Sequence, residues 1–153
     1  MNNIKITTAC GIYFNDSLLM IKEKQDGREV IDIPAGGLDQ NESILDGLKR
    51  EVFEETGVKL QNPILKGVFQ VIEADKTTIN FLFTETLLEH PILNSSKSVE
   101  DEDILEIKFV PIKEIQDKTV SHPELFEHIL ALKRLELIFL KDVSINLPVI
   151  LTL

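Results

Sequence analysis

The segment GGLDQNESILDGLKREVFEETGV, residues 36–58, places the tightest constraint on how this chain can fold. It reads as a loop running into a short helix. Ser43 with Asp46 three positions on is a capping-box-like start, with Asp a weaker partner than Glu or Gln. Gly57 suits the left-handed residue that closes a helix. At about 100° per residue, Glu51 and Glu55 lie about 40° apart, with Glu54 about 60° to the other side of Glu51. All three carboxylates are therefore expected on one face, beside a core-facing stripe of Leu45, Leu48 and Val52. Gly47 falls on the carboxylate face one turn before Glu51. Glycine inside a helix costs about 1 kcal/mol relative to Ala, so close approach of a loop or ligand is expected there.

Carboxylates at i, i+3 and i+4 oppose helix formation by a few tenths of a kcal/mol per pair. Arg50 can pair with Glu54 or reach back to Glu42, but one guanidinium cannot neutralise three ionised glutamates. A hard, oxygen-seeking cation such as Mg²⁺ or Mn²⁺ can, taking one or two carboxylates together with water and substrate phosphate. The bland alternative is a solvated acidic helix face.

The resemblance of the whole string to a known family decides between the two. Gly36, Glu42, Arg50-Glu51, aliphatic Val52, Glu54-Glu55, Gly57 and aliphatic Val58 fill nine specified positions of the Nudix box, and the preceding IDIPAGG resembles the strand and loop that enter it. The chain is accordingly identified as resembling the Nudix hydrolases, more weakly outside the box, over residues 5–135. That resemblance implies an α/β (α+β) fold: a mixed central sheet sandwiched between helices. It implies metal binding by Glu51 and Glu55, with Glu54 close behind and a main-chain carbonyl from Ala35 or Gly36. It gives Glu42, Arg50 and Gly57 a supporting role, with Arg50 and Glu54 also among the catalytic candidates. The general base is Glu51 or an acid of the run 100–103, of which Asp103 fits the family pattern best.

Composition agrees. A chain of 153 residues with 43% hydrophobic content supplies the core of one domain, expected to span 1–153 with an apolar C-terminal extension from about 138. A net charge of −10 argues against a nucleic-acid polymer or an anionic membrane as partner. The single cysteine, Cys10, excludes an internal disulfide and reads as a buried structural thiol. The N-terminal residues lack the pattern of a secretory signal, so a cytoplasmic protein is expected.

Residues 4–14 and 17–24 read as strands joined by a hairpin turn at Asn15-Asp16. A turn at 25–28 and a short strand at 30–33 lead to Pro34. Residues 63–73 and 77–85 form a second strand pair, 104–110 a further strand, and 111–115 a short helix. Residues 124–135 carry the apolar spacing of a helix, with Leu125, Ile129, Leu132 and Leu135. The polar stretch 90–103 is a candidate mobile loop beside the site. Residues 138–153 are too short and broken for a membrane span and read as a strand-like cover for the domain or for a dimer partner. Phe69, Phe81, Phe83 and Phe109 are expected mostly in the core. His90, His122 and His128 have no metal-ligand spacing.

Three functions remain open on this reading. The first is a Mg²⁺-dependent phosphohydrolase (Mn²⁺ as a substitute) that cleaves phosphoanhydride bonds of nucleoside tri- and diphosphates or of a small diphosphate of the thiamine-pathway type. The stretches at 7–14, 34–43, 74–83 and 101–115 resemble a bacterial phosphatase branch of the family with such substrates. The second is an ADP-ribose or nucleotide-sugar pyrophosphatase, although the proline such enzymes tend to carry beyond the box is replaced by Glu73-Ala74-Asp75. The third is a nucleotide-binding module without turnover. In each case the partner is a small phosphoanhydride, and a homodimer is admitted by family habit.

Overall fold

The computed structural model describes residues 3–25, 27–72, 76–94, 104–115 and 149–151. Strand β1 (Asn3–Phe14) runs through the middle of the sheet, and residues 8–13 are buried on both faces. Its alternating side chains feed two cores. Cys10 and Ile12 point toward α1 (Ile44–Thr56), where they meet Leu48 and Val52, while Ala9 and Tyr13 point to the opposite face with Leu18, Met20, Ile33, Phe69 and Leu82. Period-two alternation on a strand covered from both sides produces this division.

β1 turns at Asn15 (φ 51°) into β2 (Ser17–Gln25), with Phe14 opposite Ser17. β2 makes two pairs with β1, continues on that side into pairing with β3 (Arg28–Asp32), and pairs from Ser17 onward with β7 (Ile104–Pro111) on the other. β5 (Ile64–Ile72) and β6 (Lys76–Thr86) are antiparallel, and β6 lies parallel to β1 along its whole length. The sheet order is β3-β2-β1-β6-β5-β8, where β8 is Val149–Leu151 on the edge of β5. It is a mixed sheet, as expected. Residues 112–114 form a single 3-10 turn. The expected helix at 124–135 and the rest of the C-terminal extension lie outside the described residues. Among those described, no helix is long and apolar enough to cross a membrane.

One strand was not legible in the sequence. Ala35–Gly37 forms β4, antiparallel to β1 with Thr7, Thr8 and Ala9 opposite Gly37, Gly36 and Ala35. An alanine and two glycines after a proline carry little strand propensity, and only the open edge of β1 recruits them. The Pro34 carbonyl accepts from the Cys10 amide at 3.0 Å, so the chain leaves β2 and joins β1 at that point.

The helix also differs from expectation in one respect. Leu48 and Val52 are buried, but Leu45 is 47% exposed, and Ile44 packs toward the core instead. The buried positions are 47, 48, 51, 52, 55 and 56, so the face carrying Glu51 and Glu55 is itself turned to the sheet. Cys10 is fully buried, and burial, with Glu85 nearby, pushes its thiol well above the ordinary range. The loop after β6 is tied down in its described part: the Asn94 amide donates to the Thr56 carbonyl, and the His90 ring packs 5.3 Å from those of both Phe14 and Phe109. The remainder of the candidate mobile loop lies outside the described residues.

Candidate active site

Helix α1 begins where Ser43 accepts the Asp46 amide at 3.1 Å and donates its hydroxyl to the Asp46 carboxylate at 2.6 Å. It ends at Gly57, φ 75°, whose amide donates to the Phe53 carbonyl. Any side chain there would carry the strain of the left-handed region and press on the Asn94 carbonyl. These two caps set the length and register that bring Glu51 and Glu55 under β4.

Glu51 and Glu55 are 6% and 4% exposed. The Ala35 amide donates to Glu55 Oε2 at 3.0 Å, which anchors the helix to the strand. The Glu51 carboxylate lies against Gly36, where a methyl group would overlap it. Glu54, 37% exposed in its side chain, stands further out.

Arg50 draws the loop and helix together. Its Nε and Nη2 donate to the two oxygens of Glu42, each at 2.8 Å, in a bidentate pair. Nη2 also donates to the Gly37 carbonyl at 2.9 Å, and Nη1 reaches Glu51 at 2.9 Å and Glu54 at 3.3 Å. Bidentate carboxylate pairing of this kind suits arginine and not lysine. Glu42 also accepts the Asp39 amide at 2.9 Å. Gly47 gives way to this loop: a side chain there would meet Leu38 and Glu42. The expected close approach at Gly47 is thus made by the chain itself.

The Arg50 hydrogen bonds, followed by the Asp39 amide, hold the Glu42 carboxyl down at about 2, against an ordinary 4.5. A carboxyl depressed in the folded state adds stability above its unfolded value and loses it as pH falls through the folded value. Stability should therefore decline between about pH 4.5 and 2 partly through Glu42. In Glu42→Gln the slope of melting temperature against pH over that window should be shallower; an unchanged slope would assign the acid sensitivity elsewhere.

Of the residues singled out in the sequence, the structure brings together Ala35, Gly36, Glu42, Arg50, Glu51, Glu54 and Glu55, with Gly57 at the helix end. Asp103, His122 and His128 lie outside the described residues. Sequence reasoning missed the Gly37 carbonyl and Asp39 as partners of the Arg50–Glu42 pair. The doubled glycine was the one available signal.

Among the described residues, no three acidic, histidine or cysteine side chains converge tightly enough to cage an ion by themselves. The donors nevertheless fit a divalent hard cation. Two buried carboxylates meet main chain at a glycine, and Mg²⁺ takes few protein ligands while keeping waters and substrate phosphate.

An acidic loop and helix clamped under a mixed sheet is the arrangement that the comparisons with known proteins place in one family. The NUDIX domain model matches residues 5–129, so the chain belongs to the Nudix family. Phosphatase NudJ of Escherichia coli (strain K12) is 33% identical over 79 residues, 51% of this chain and 52% of that protein. The chain thus aligns with about half the length of the curated relatives it matches. A NUDIX hydrolase from Nitrosomonas europaea superimposes with a TM-score of 0.72 at 23% identity, covering 87% of this chain and 90% of that one. A bifunctional NMN adenylyltransferase/ADP ribose pyrophosphatase from Francisella tularensis, solved with AMP and a Mn ion, gives 0.66 at 21% identity, covering 87% and 42%. These two structural likenesses concern the fold.

Proposed function

We propose that this protein is a Mg²⁺-dependent phosphohydrolase that cleaves a phosphoanhydride bond in nucleoside tri- or diphosphates or in a small organic diphosphate of the thiamine type. The observation that carries this reading is the burial of two carboxylates, Glu51 and Glu55, directly against the main chain of Gly36 and Ala35. Burying like charges side by side is costly, and the Arg50 guanidinium, which meets Glu51 but is shared with Glu42 and Glu54, does not by itself balance this many carboxylates. Glu51, Glu55 and Glu54, with a carbonyl of Ala35 or Gly36, would hold that cation. When bound, Mg²⁺ or Mn²⁺ neutralises phosphate oxygens and acidifies water.

The chain's own residues do the rest. Arg50 and Glu42 fix the loop so that β4 and α1 keep their spacing. Water adds to phosphorus, the bridging P–O bond breaks, and the leaving phosphate departs with the electron pair. The proton of the water passes to a carboxylate, for which Glu51, Glu54 and Asp103 are the candidates. The relationship to a protein named a phosphatase favours this substrate class.

The test is phosphate and pyrophosphate release from NTPs, NDPs, thiamine diphosphate, ADP-ribose and nucleotide sugars, with Mg²⁺ and with EDTA. Metal-dependent release from the first three groups is expected. Cleavage confined to ADP-ribose or nucleotide sugars would replace this reading with the pyrophosphatase one, and no turnover would point to a binding module.

A further inference from the structure

On the sheet face opposite α1, one side chain has a polar atom that no described residue satisfies. Gly37, Thr7, Asn80 and Phe69 form one transverse row across β4, β1, β6 and β5. Residues in such a row share a face. It is the face of Ala9 and Leu82, one step along the strands. Asn80 Nδ2 donates to Thr7 Oγ1 at 3.0 Å, which fixes the plane of the amide, while Asn80 Oδ1 is buried without a hydrogen-bond partner. A buried carbonyl oxygen that has given up water and gained no donor is disfavoured, and such groups call for an explanation.

The position of the row supplies one. Its Gly37 end belongs to the candidate active site, since the Gly37 carbonyl accepts from Arg50. Gly37 leaves the row open beside Thr7, and Lys5, next along β1 on the same face, places its Cε 3.4 Å from where a Gly37 side chain would start. Beside Arg50, a second and exposed cation therefore stands at the rim of the acidic site, where it favours a substrate phosphate. At the other end, the buried Phe69 ring packs over Gly67. Strands lie about 4.8 Å apart, so Asn80 is about 10 Å from Gly37. That span fits a phosphate at Gly37 and a heteroaromatic ring at Asn80.

We propose that Asn80, braced by Thr7, is a specificity residue whose Oδ1 accepts a hydrogen bond from the exocyclic amine of an aminopyrimidine-type ring on the substrate. This rests on the phosphohydrolase reading and narrows it. Adenine and cytosine nucleotides and thiamine diphosphate all carry that amine. Inosine and uridine nucleotides and oxythiamine diphosphate carry an oxo group in its place, which would set two acceptors against each other.

The experiment measures kcat/KM and equilibrium binding for the pairs ATP/ITP, CTP/UTP and thiamine diphosphate/oxythiamine diphosphate, in the native chain and in Asn80→Leu, Asn80→Ala and Thr7→Val. The native protein should favour the amine in at least one pair by about tenfold or more. The pair that shows it identifies the source of the ring. In Asn80→Leu the preference should collapse to about twofold or less, with the oxo substrate little affected, and Thr7→Val should weaken it partially. Asn80→Ala serves if the leucine variant melts early. Turnover without amine preference, or a preference that survives both Asn80 variants, overturns this inference and leaves the hydrolase standing. If nothing is turned over, the hydrolase reading fails, and binding decides the subsite: an amine preference abolished by Asn80→Leu sustains it, and equal binding overturns it.

Discussion

Glu55→Gln is expected to lower metal-dependent turnover by roughly 10³-fold while leaving the melting temperature of the metal-free protein equal or raised. The two effects have one cause. Glu55 is 4% exposed, shares its face with the buried Glu51, and sits in the last turn of α1, which contains no basic residue. There the helix dipole disfavours negative charge by about 0.3–1 kcal/mol, and the neighbouring carboxylate adds repulsion. Glutamine keeps the shape, and its oxygen can still accept the Ala35 amide now held by Glu55. Folding therefore loses little and sheds an electrostatic cost, while the charge needed to hold a cation is gone. Added Mg²⁺ should raise the melting temperature of the native protein and do so less in Glu55→Gln. Turnover within tenfold of native would remove Glu55 from the site, and a marked fall in melting temperature would make its role structural.

The second large effect is expected from a single methyl group. In Gly36→Ala the new carbon would overlap the Glu51 carboxylate, and the strand cannot retreat because Gly36 pairs with Thr8 and the Ala35 amide is tied to Glu55. The movable partner is the end of the Glu51 side chain. The strain should cost about 1–3 kcal/mol of stability, whereas displacing a ligand by about 1 Å should cost on the order of 100-fold in turnover. Because the methyl acts through Glu51, adding Gly36→Ala to Glu51→Gln should produce little further loss of activity. A full additional loss would mean that Gly36 matters through its own carbonyl instead.

Much of this site could be read along the chain because its parts are close in sequence. Glu42, Arg50, Glu51, Glu54 and Glu55 lie within one loop and one helix, and helical spacing with capping chemistry places them relative to one another. The hairpin at Asn15-Asp16 and the strand pair ending at Thr86 were legible for the same reason, through alternation and turn residues. The exposed Leu45 was misjudged because a helical wheel carries no information on which of two neighbouring apolar stripes the sheet accepts.

What the sequence by itself determined is the local chemistry: an acidic helix of defined length, capped by Ser43 and Gly57, with an arginine able to reach back to Glu42. Only the tertiary structure decided that the face bearing Glu51 and Glu55 turns inward, since that depends on Ala35–Gly37 becoming a strand on β1. It also decided that Thr7 and Asn80, 73 positions apart, share a hydrogen bond beside Gly37. Local sequence encodes backbone preference and side-chain order, but parallel pairing of β1 with β6 joins segments whose contact is set by the burial of the whole sheet, and no short window of residues carries that information.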